Sequence, residues 1–332
     1  MQIPGTSTQR ARDLAVCRDG DAIPPELRGA VIAIGNFDGL HRGHQALVAA
    51  AMEAAHRDRR PAAILTFDPH PRAYFAPQAS HFRLTPEPVK LKILAELGLD
   101  AAFIRRFDAT LAGTSARDFV HELLGKTLGA SAVVVGGDFH FGRGREGTPT
   151  ILMELARERG IGATTVGTVE MDGGPVSSSR VRAALADGDA RLANSLLGYR
   201  WFVRGEVRHG EKRGRTLGYP TANLSLDPGC RLMHGIYAVR VATGAGETHG
   251  GVASFGRRPT FDNGVPLLET YLFDFADDLY GFEIEVEFVG RIRPEERFTG
   301  ADALVAQMKR DESEAREMLA ASARPGLRSF IG

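Results

Sequence analysis

Two histidines spaced three apart, His41 and His44, lie in the run Gly35-Asn36-Phe37-Asp38-Gly39-Leu40-His41-Arg42-Gly43-His44. An apolar stretch enters this run and a helix-forming stretch leaves it, so the pattern predicts a glycine-bracketed turn ending at a helix N-terminus. If the helix begins near His41, both imidazoles lie on one side of its first turn beside unsatisfied backbone N–H groups, and Gly43 keeps the space between them open. Two imidazoles and a helix N-terminus can hold the charge that spreads over a phosphoryl group during transfer. Gly35, Asn36, Asp38 and Gly43 are candidate phosphate-binding positions. A surface turn carrying two solvated histidines would have the same letters. Zinc is disfavoured, because no cysteine or further histidine stands nearby at ligand spacing.

A second set lies in the other half of the chain. Thr221 and Asn223 are two apart, so in an extended segment both side chains offer oxygen to one face, as Mg2+ prefers. A proline-initiated turn that satisfies local backbone groups competes with that reading. Glu269 falls on one strand face with Tyr271, Phe273 and Phe275, where partial desolvation would make the carboxylate a better proton acceptor, and a solvent-reaching glutamate is the alternative. Between Gly205 and Asn223 the sequence GEVRHGEKRGRTLGYPTAN carries Gly210 and Gly218 with Arg208, Lys212, Arg213 and Arg215, a combination able to surround polyphosphate, although an RNA-binding loop or a solvated charge run looks similar.

The elements that must position these groups divide the chain in two. From residue 30 to about 186, apolar runs at Ala30–Ile34, Ala62–Phe67, Ala101–Ile104, Ala132–Val135 and Thr164–Val169 alternate with helical patterns at His44–His56, Glu87–Leu97, Ser115–Leu128 and Thr150–Arg159. That order predicts an α/β domain over 1–186 with a parallel sheet, whose ligands sit beyond the carboxyl ends of the strands. Three punctuated segments fall there: Gly35–His44, Thr66–Pro71 with Asp68 and His70, and Gly136–Gly144 with Asp138, Phe139 and Phe141, either of whose rings could cover a flat ligand. Ser177-Ser178-Ser179-Arg180-Val181-Arg182 opens a further helix, by serine capping and, on the functional reading, with one arginine toward the phosphate edge.

After a connecting helix near Asp187–Tyr199 the pattern turns strand-rich, at Trp201–Val207, Ile236–Val241, Gly251–Phe255, Leu267–Phe275 and Glu283–Val289. Closely spaced strands predict a small antiparallel β-barrel over 187–332. Phe282, Ile284, Val286 and Phe288 alternate with glutamates, giving one buried and one wet face. Ala301–Leu319 predicts a terminal helix that docks through Leu304, Met308, Ala315 and Leu319.

Composition narrows the classes. The 332 residues exceed what one core usually serves, and 41 basic against 41 acidic residues leave no net charge to draw nucleic acid or an anionic membrane. Cys17 and Cys230 form no paired motif, no stretch reaches membrane-span length, and Met1 to Gly20 lack the apolar core of a signal peptide, so a soluble cytoplasmic protein is expected. No feature of the sequence fixes an oligomeric state.

Taken together, GNFDGLHRGH, TFDPHP, GGDFHFG, VSSSRVR, GEVRHGEKRGRTLGYPTAN, ETYLFDFADDLYG and RIRPEERF, in that order from about residue 30 to about 312, resemble the bifunctional bacterial riboflavin kinase/FAD synthetases. The resemblance implies a Rossmann-like nucleotidyltransferase domain followed by a kinase barrel. The barrel would phosphorylate riboflavin to FMN with ATP, and the first domain would join AMP from a second ATP to FMN, releasing FAD and pyrophosphate. It further implies that His41 and His44 contact ATP phosphates, that Ser178, Ser179 and Arg182 close on the triphosphate, and that Asp68 and Asp138 share that cleft. In the barrel it implies that Thr221 and Asn223 organise Mg-ATP and that Glu269 deprotonates the ribityl hydroxyl. Ser179 replaces the usual threonine, Ser254 an asparagine, and Tyr271 a histidine. An adenylyltransferase with an inactive barrel, and a flavin-responsive or RNA-binding regulator, are the competing functions.

Overall fold

The computed structural model describes residues 14–78, 81–209, 218–243, 247–257 and 266–322. These divide into two compact units, one built from the described residues up to 78 and from 85 to 176, the other from 81 to 84 and from 177 to 322.

The first unit is a parallel sheet of β1 (Ala15–Cys17), β2 (Val31–Ile34), β3 (Ala62–Asp68), β4 (Ala101–Arg106), β5 (Ala132–Gly136) and β6 (Gly162–Val166), in the order β1-β4-β3-β2-β5-β6. Every residue of β2 is buried, as a central strand covered on both faces requires. Strand order reverses beside β2, so β3, β2 and β5 are neighbours and the three punctuated loops leave adjacent strand ends. The helices are α1 (Arg42–Arg57), α2 (Pro71–Phe75), α3 (Glu87–Leu97), α4 (Ala109–Gly113), α5 (Ala116–Asp118) and α6 (Pro149–Glu158).

Three features depart from the expected pattern. β1 pairs with β4 at the sheet edge and is only 3 residues long, too short to announce itself by periodicity. The helix expected over Ser115–Leu128 is α5 followed by a π-helical stretch, Phe119–Thr127, whose wider turn sets Val120, Leu124 and Leu128 into the core. Strand β6 ends at Val166 rather than continuing to Val169, and β7 (Glu170–Met171) with β8 (Gly174–Pro175) forms a small ribbon after it.

The second unit opens with α7 (Ser178–Ala186) and α8 (Ala190–Leu197) and continues as β9 (Phe202–Glu206), β10 (Thr221–Ser225), β11 (Gly235–Ala242), β12 (Thr248–Arg257), β13 (Pro266–Leu272) and β14 (Glu283–Arg293). The antiparallel order is β10-β13-β12-β11-β14-β9, and a bridge in which the Arg208 amide donates to the Asn223 carbonyl at 2.9 Å brings the two edges together as a barrel. Ile284, Val286 and Phe288 point inward as expected. Phe282, expected with them, precedes the strand and is 58% exposed. Phe273 and Phe275, expected to continue the face of Glu269, lie beyond the end of β13, where the chain turns.

The terminal helix, α9 (Ala301–Ala321), docks through buried Ala315 and Leu319, with Leu304 and Met308 only half-buried. Gly290 permits this approach, since a Cβ there would collide with the Met318 methyl. The sequence reading missed the polar part of the dock: the Arg293 guanidinium donates to both oxygens of Asp311, at 2.8 and 2.7 Å, and Gln307 Nε2 adds a third bond at 2.8 Å. The segment 81–84 also packs in this unit. Trp201 Nε1 donates to the Leu84 carbonyl at 3.0 Å, and the Phe82 ring meets the indole edge-on at 5.8 Å. No helix among the described residues is long and apolar enough to cross a membrane.

Candidate active sites

The loop leaving β2 reaches α1 through an unusual backbone. Phe37, Gly39 and Leu40 have φ of 48°, 84° and 40°. For Phe37 and Leu40 such values cost on the order of 1–3 kcal/mol each and persist only where the surroundings enforce them. Both side chains are fully buried, and Gln45 Nε2 donates to the Leu40 carbonyl at 2.7 Å.

This backbone delivers His41 to the N-cap of α1, where its Nδ1 accepts the His44 amide at 3.3 Å. An imidazole that accepts at Nδ1 carries its neutral-state proton on Nε2. The His41 and His44 rings stack, with centroids 3.8 Å apart and planes at 18°. Burial, and then the nearby His41, Lys90 and His70, hold the His44 pKa well below its ordinary value, so this ring is neutral at pH 7. His44 Nδ1 is buried without a hydrogen-bond partner. A Cβ on Gly43 would stand 3.2 Å from the His41 ring, so the glycine is what lets the pair stack undisturbed.

The remaining predicted positions of this loop serve its scaffold. The Gly35 amide extends the sheet by donating to the Leu65 carbonyl at 3.1 Å. The Asn36 carbonyl accepts from Lys90 Nζ at 2.8 Å and from the Thr66 hydroxyl at 3.1 Å. Asp38, expected beside phosphate, is 4% exposed and accepts the Thr85 amide at 3.0 Å. A carboxylate facing phosphate would repel it, whereas one facing a backbone N–H ties the loop down.

Asp68 is exposed at the end of β3, and His70 caps α2 by accepting the Arg72 amide at 3.1 Å. Phe67, Tyr74, Phe75 and Phe107 form a half-open aromatic cluster at that strand end, with centroids 5.1 to 6.1 Å apart and Phe75 69% exposed. After β5, Asp138 is exposed and Phe139 stacks on Phe141 at 5.4 Å. Phe141, considered as a cover for a flat ligand, is 6% exposed and belongs to the core.

Ser177 caps α7, accepting the Arg180 amide at 3.3 Å, and Ser178 and Ser179 occupy its first turn, the latter exposed. Arg182 Nε donates to the Phe82 carbonyl at 2.7 Å, with its guanidinium 3.5 Å from His81 Nε2.

In the barrel, the expected extended segment is β10, and its register sets Asn223 opposite Glu269 and Thr221 opposite Tyr271. Ser254 flanks Glu269 on the other side, so Asn223, Glu269 and Ser254 form one rung across three strands. Asn223 Nδ2 donates to the Thr221 carbonyl at 3.2 Å, while its Oδ1 is buried without a hydrogen-bond partner. The Tyr219 and Tyr271 rings meet edge to face at 4.8 Å, and burial, with Glu312 next in weight, raises the Tyr271 pKa so that the phenol stays protonated. Gly218 lies exposed at φ 83°. Gly210, Lys212, Arg213 and Arg215 lie outside the described residues. No cluster of three or more His, Cys, Asp or Glu capable of holding a metal occurs among the described residues.

Comparison with known proteins follows the same two-part division. A FAD synthetase family model matches residues 23–180 and a riboflavin kinase model matches residues 197–319. The bifunctional riboflavin kinase/FMN adenylyltransferase of Escherichia coli (strain K12) is 43% identical over 290 residues, covering 87% of this chain and 92% of that protein. The chain belongs to the bifunctional riboflavin kinase/FMN adenylyltransferase family. A family member from Pseudomonas fluorescens is 40% identical over 300 residues, covering 90% of this chain and 96% of its own. A crystal structure described as a macrolide-efflux protein from Streptococcus pneumoniae superposes with a TM-score of 0.83 at 32% identity, over 91% of this chain and 99% of that one.

Proposed function

We propose that this member of the riboflavin kinase/FMN adenylyltransferase family converts riboflavin to FAD in two ATP-dependent steps. The domain over 187–332 phosphorylates the ribityl 5′-hydroxyl, and the domain over 1–186 adenylylates the resulting FMN. The observation that carries the reading is the pairing of each family match with an assembled cluster: stacked His41 and His44 in one unit, the Asn223 and Glu269 rung in the other.

The two chemistries call for different groups, and the clusters differ accordingly. A ribityl hydroxyl is a poor nucleophile, and Glu269 is the base that takes its proton as the oxygen attacks the γ-phosphorus of ATP, the bond to the β,γ-bridging oxygen breaks and ADP departs. Thr221 and Asn223 supply oxygens to Mg2+, and the unpartnered, buried Asn223 Oδ1 fits a hard cation. When bound, Mg2+ neutralises charge on the β- and γ-phosphate oxygens.

FMN brings a phosphate already anionic at neutral pH, so its attack on the α-phosphorus needs charge stabilisation more than a base. The His41 and His44 rings and the N-terminus of α1 provide it, and pyrophosphate departs. The Phe67, Tyr74, Phe75 and Phe107 cluster, with Asp68, Asp138 and Phe139, supports a flat flavin ring near these strand ends. Cys17 and Cys230 are buried and not joined in a disulfide, which accords with a reducing cytoplasm.

Incubation with riboflavin, ATP and Mg2+, followed by chromatography, tests the scheme: FMN and FAD both accumulate in the wild type. His44→Ala stops at FMN. If riboflavin is not consumed, or FMN accumulates without FAD in the wild type, the assignment of that step is wrong.

A further inference from the structure

The strained loop that carries the histidine pair is gripped from outside itself, by residues at the start of α3. The Thr85 hydroxyl accepts the Gly39 amide at 2.9 Å and lies 3.3 Å from Asp38 Oδ1, which also accepts the Thr85 amide at 3.0 Å. Thr85 is 3% exposed, so these bonds form away from water. One turn further on, Lys90 Nζ holds the Asn36 carbonyl at 2.8 Å. Asn36, Asp38 and Gly39 are thus fixed by two side chains about fifty positions away in sequence, on either side of Phe37, with its positive φ.

We propose that Thr85 is a positioning residue for adenylyl transfer. Its hydroxyl fixes the Gly39 amide, and with it the left-handed turn at Gly39 and Leu40 that delivers His41 to the α1 N-cap. Thr85 itself is buried. It acts through the loop, with Asp38 as the second half of the clamp and Lys90 holding the entry. The chemistry has a narrow geometric tolerance: the His41 ring must sit against the oxygens around the α-phosphorus, and a misplacement of about 1 Å can cost on the order of a hundredfold in rate. The inference rests on the assignment of FMN adenylylation to this loop.

The test uses the full chain and both reactions. Thr85→Val keeps the branched shape but removes the hydroxyl, which leaves the Gly39 amide buried without its acceptor. Thr85→Ser keeps the hydroxyl. His44→Ala reports whether the loop performs the reaction at all. The expected result for Thr85→Val is a loss of roughly a hundredfold in kcat for FAD formation from added FMN, with a much smaller change in KM for ATP. FMN formation from riboflavin is unchanged in the same preparation, and Thr85→Ser restores FAD formation. A residue that only stabilised the unit would instead lower the fraction of folded enzyme, seen as an earlier thermal transition, with kcat per folded molecule preserved. The inference is overturned if Thr85→Val forms FAD at the wild-type rate while His44→Ala does not, or if the loss follows the folded fraction alone. If His44→Ala also forms FAD normally, the assignment of the reaction to this loop fails and the inference falls with it.

Discussion

Asn223 and Glu269 face each other across adjacent antiparallel strands, and the asparagine's Oδ1 is enclosed there with no hydrogen-bond donor. An amide oxygen left without a partner in a buried position is costly unless a ligand completes it. The carboxylate opposite is the one acidic side chain of β13. Glu269→Gln keeps the shape and removes the basicity, so FMN formation from riboflavin falls by about 10²–10⁴-fold. Added FMN is still converted to FAD. Chromatography of both reactions measures the split, and a block confined to the adenylyl step would reverse the division of labour.

Asn223→Ala removes the enclosed oxygen without touching the base. The expected outcome is a higher Mg2+ concentration for half-maximal FMN formation, with the Mg2+ dependence of FAD formation from FMN unaltered. Titrating Mg2+ in the two assays separately checks it, and parallel shifts in both would rule out a metal role specific to this rung.

The depressed pKa of His44 has consequences for both folding and binding. Between its folded value and the ordinary imidazole value of about 6.5, the unfolded chain binds more protons than the folded one. Stability therefore rises with pH across that window and is lost as pH falls below about 6.5 toward the folded value. His44→Asn flattens this dependence, as urea midpoints measured across the window would reveal. The triphosphate of ATP favours the charged ring and raises its pKa, so binding at mildly acidic pH takes up protons. Calorimetry in buffers of differing ionisation enthalpy measures the uptake, and its absence in His44→Asn assigns it.

The Arg293 and Asp311 pair joins the barrel wall to α9 with side chains only 13% and 4% exposed. Removing one partner strands a buried charge, so Asp311→Ala destabilises the second unit by about 3–5 kcal/mol. Trp201, the single tryptophan, lies in that unit and is 2% exposed, so its fluorescence reports the transition. A substitution that left the urea midpoint in place would show the pair to be energetically neutral.

What the sequence disclosed and what it hid follow from the range of the interactions. Alternating apolar runs, the helix after His41 and the two-residue spacing of Thr221 and Asn223 are local patterns, and the parallel sheet, the N-cap and β10 follow from them. The register that sets Asn223 against Glu269 depends on how β10 and β13 align, which periodicity does not specify. Thr85 and Lys90 act on partners far away in sequence and carry no motif of their own. The bond between Asp38 and the Thr85 amide was hidden for the same reason: the aspartate sits in a phosphate motif, and Thr85 lies 47 positions away. Phe282 and Phe275 continue an apolar alternation past the point where hydrogen bonding ends the strand.

The indole of Trp201 finds its acceptor at Leu84, in a stretch whose sequence neighbours on both sides fold with the other unit. The kinase half is therefore not encoded by one uninterrupted piece of chain. A protein begun at Ser177 would discard Phe82 and the Leu84 carbonyl together, leaving an indole N–H unanswered and an aromatic edge uncovered. Swapping this barrel into another polypeptide would mean transplanting that distant tetrapeptide along with it.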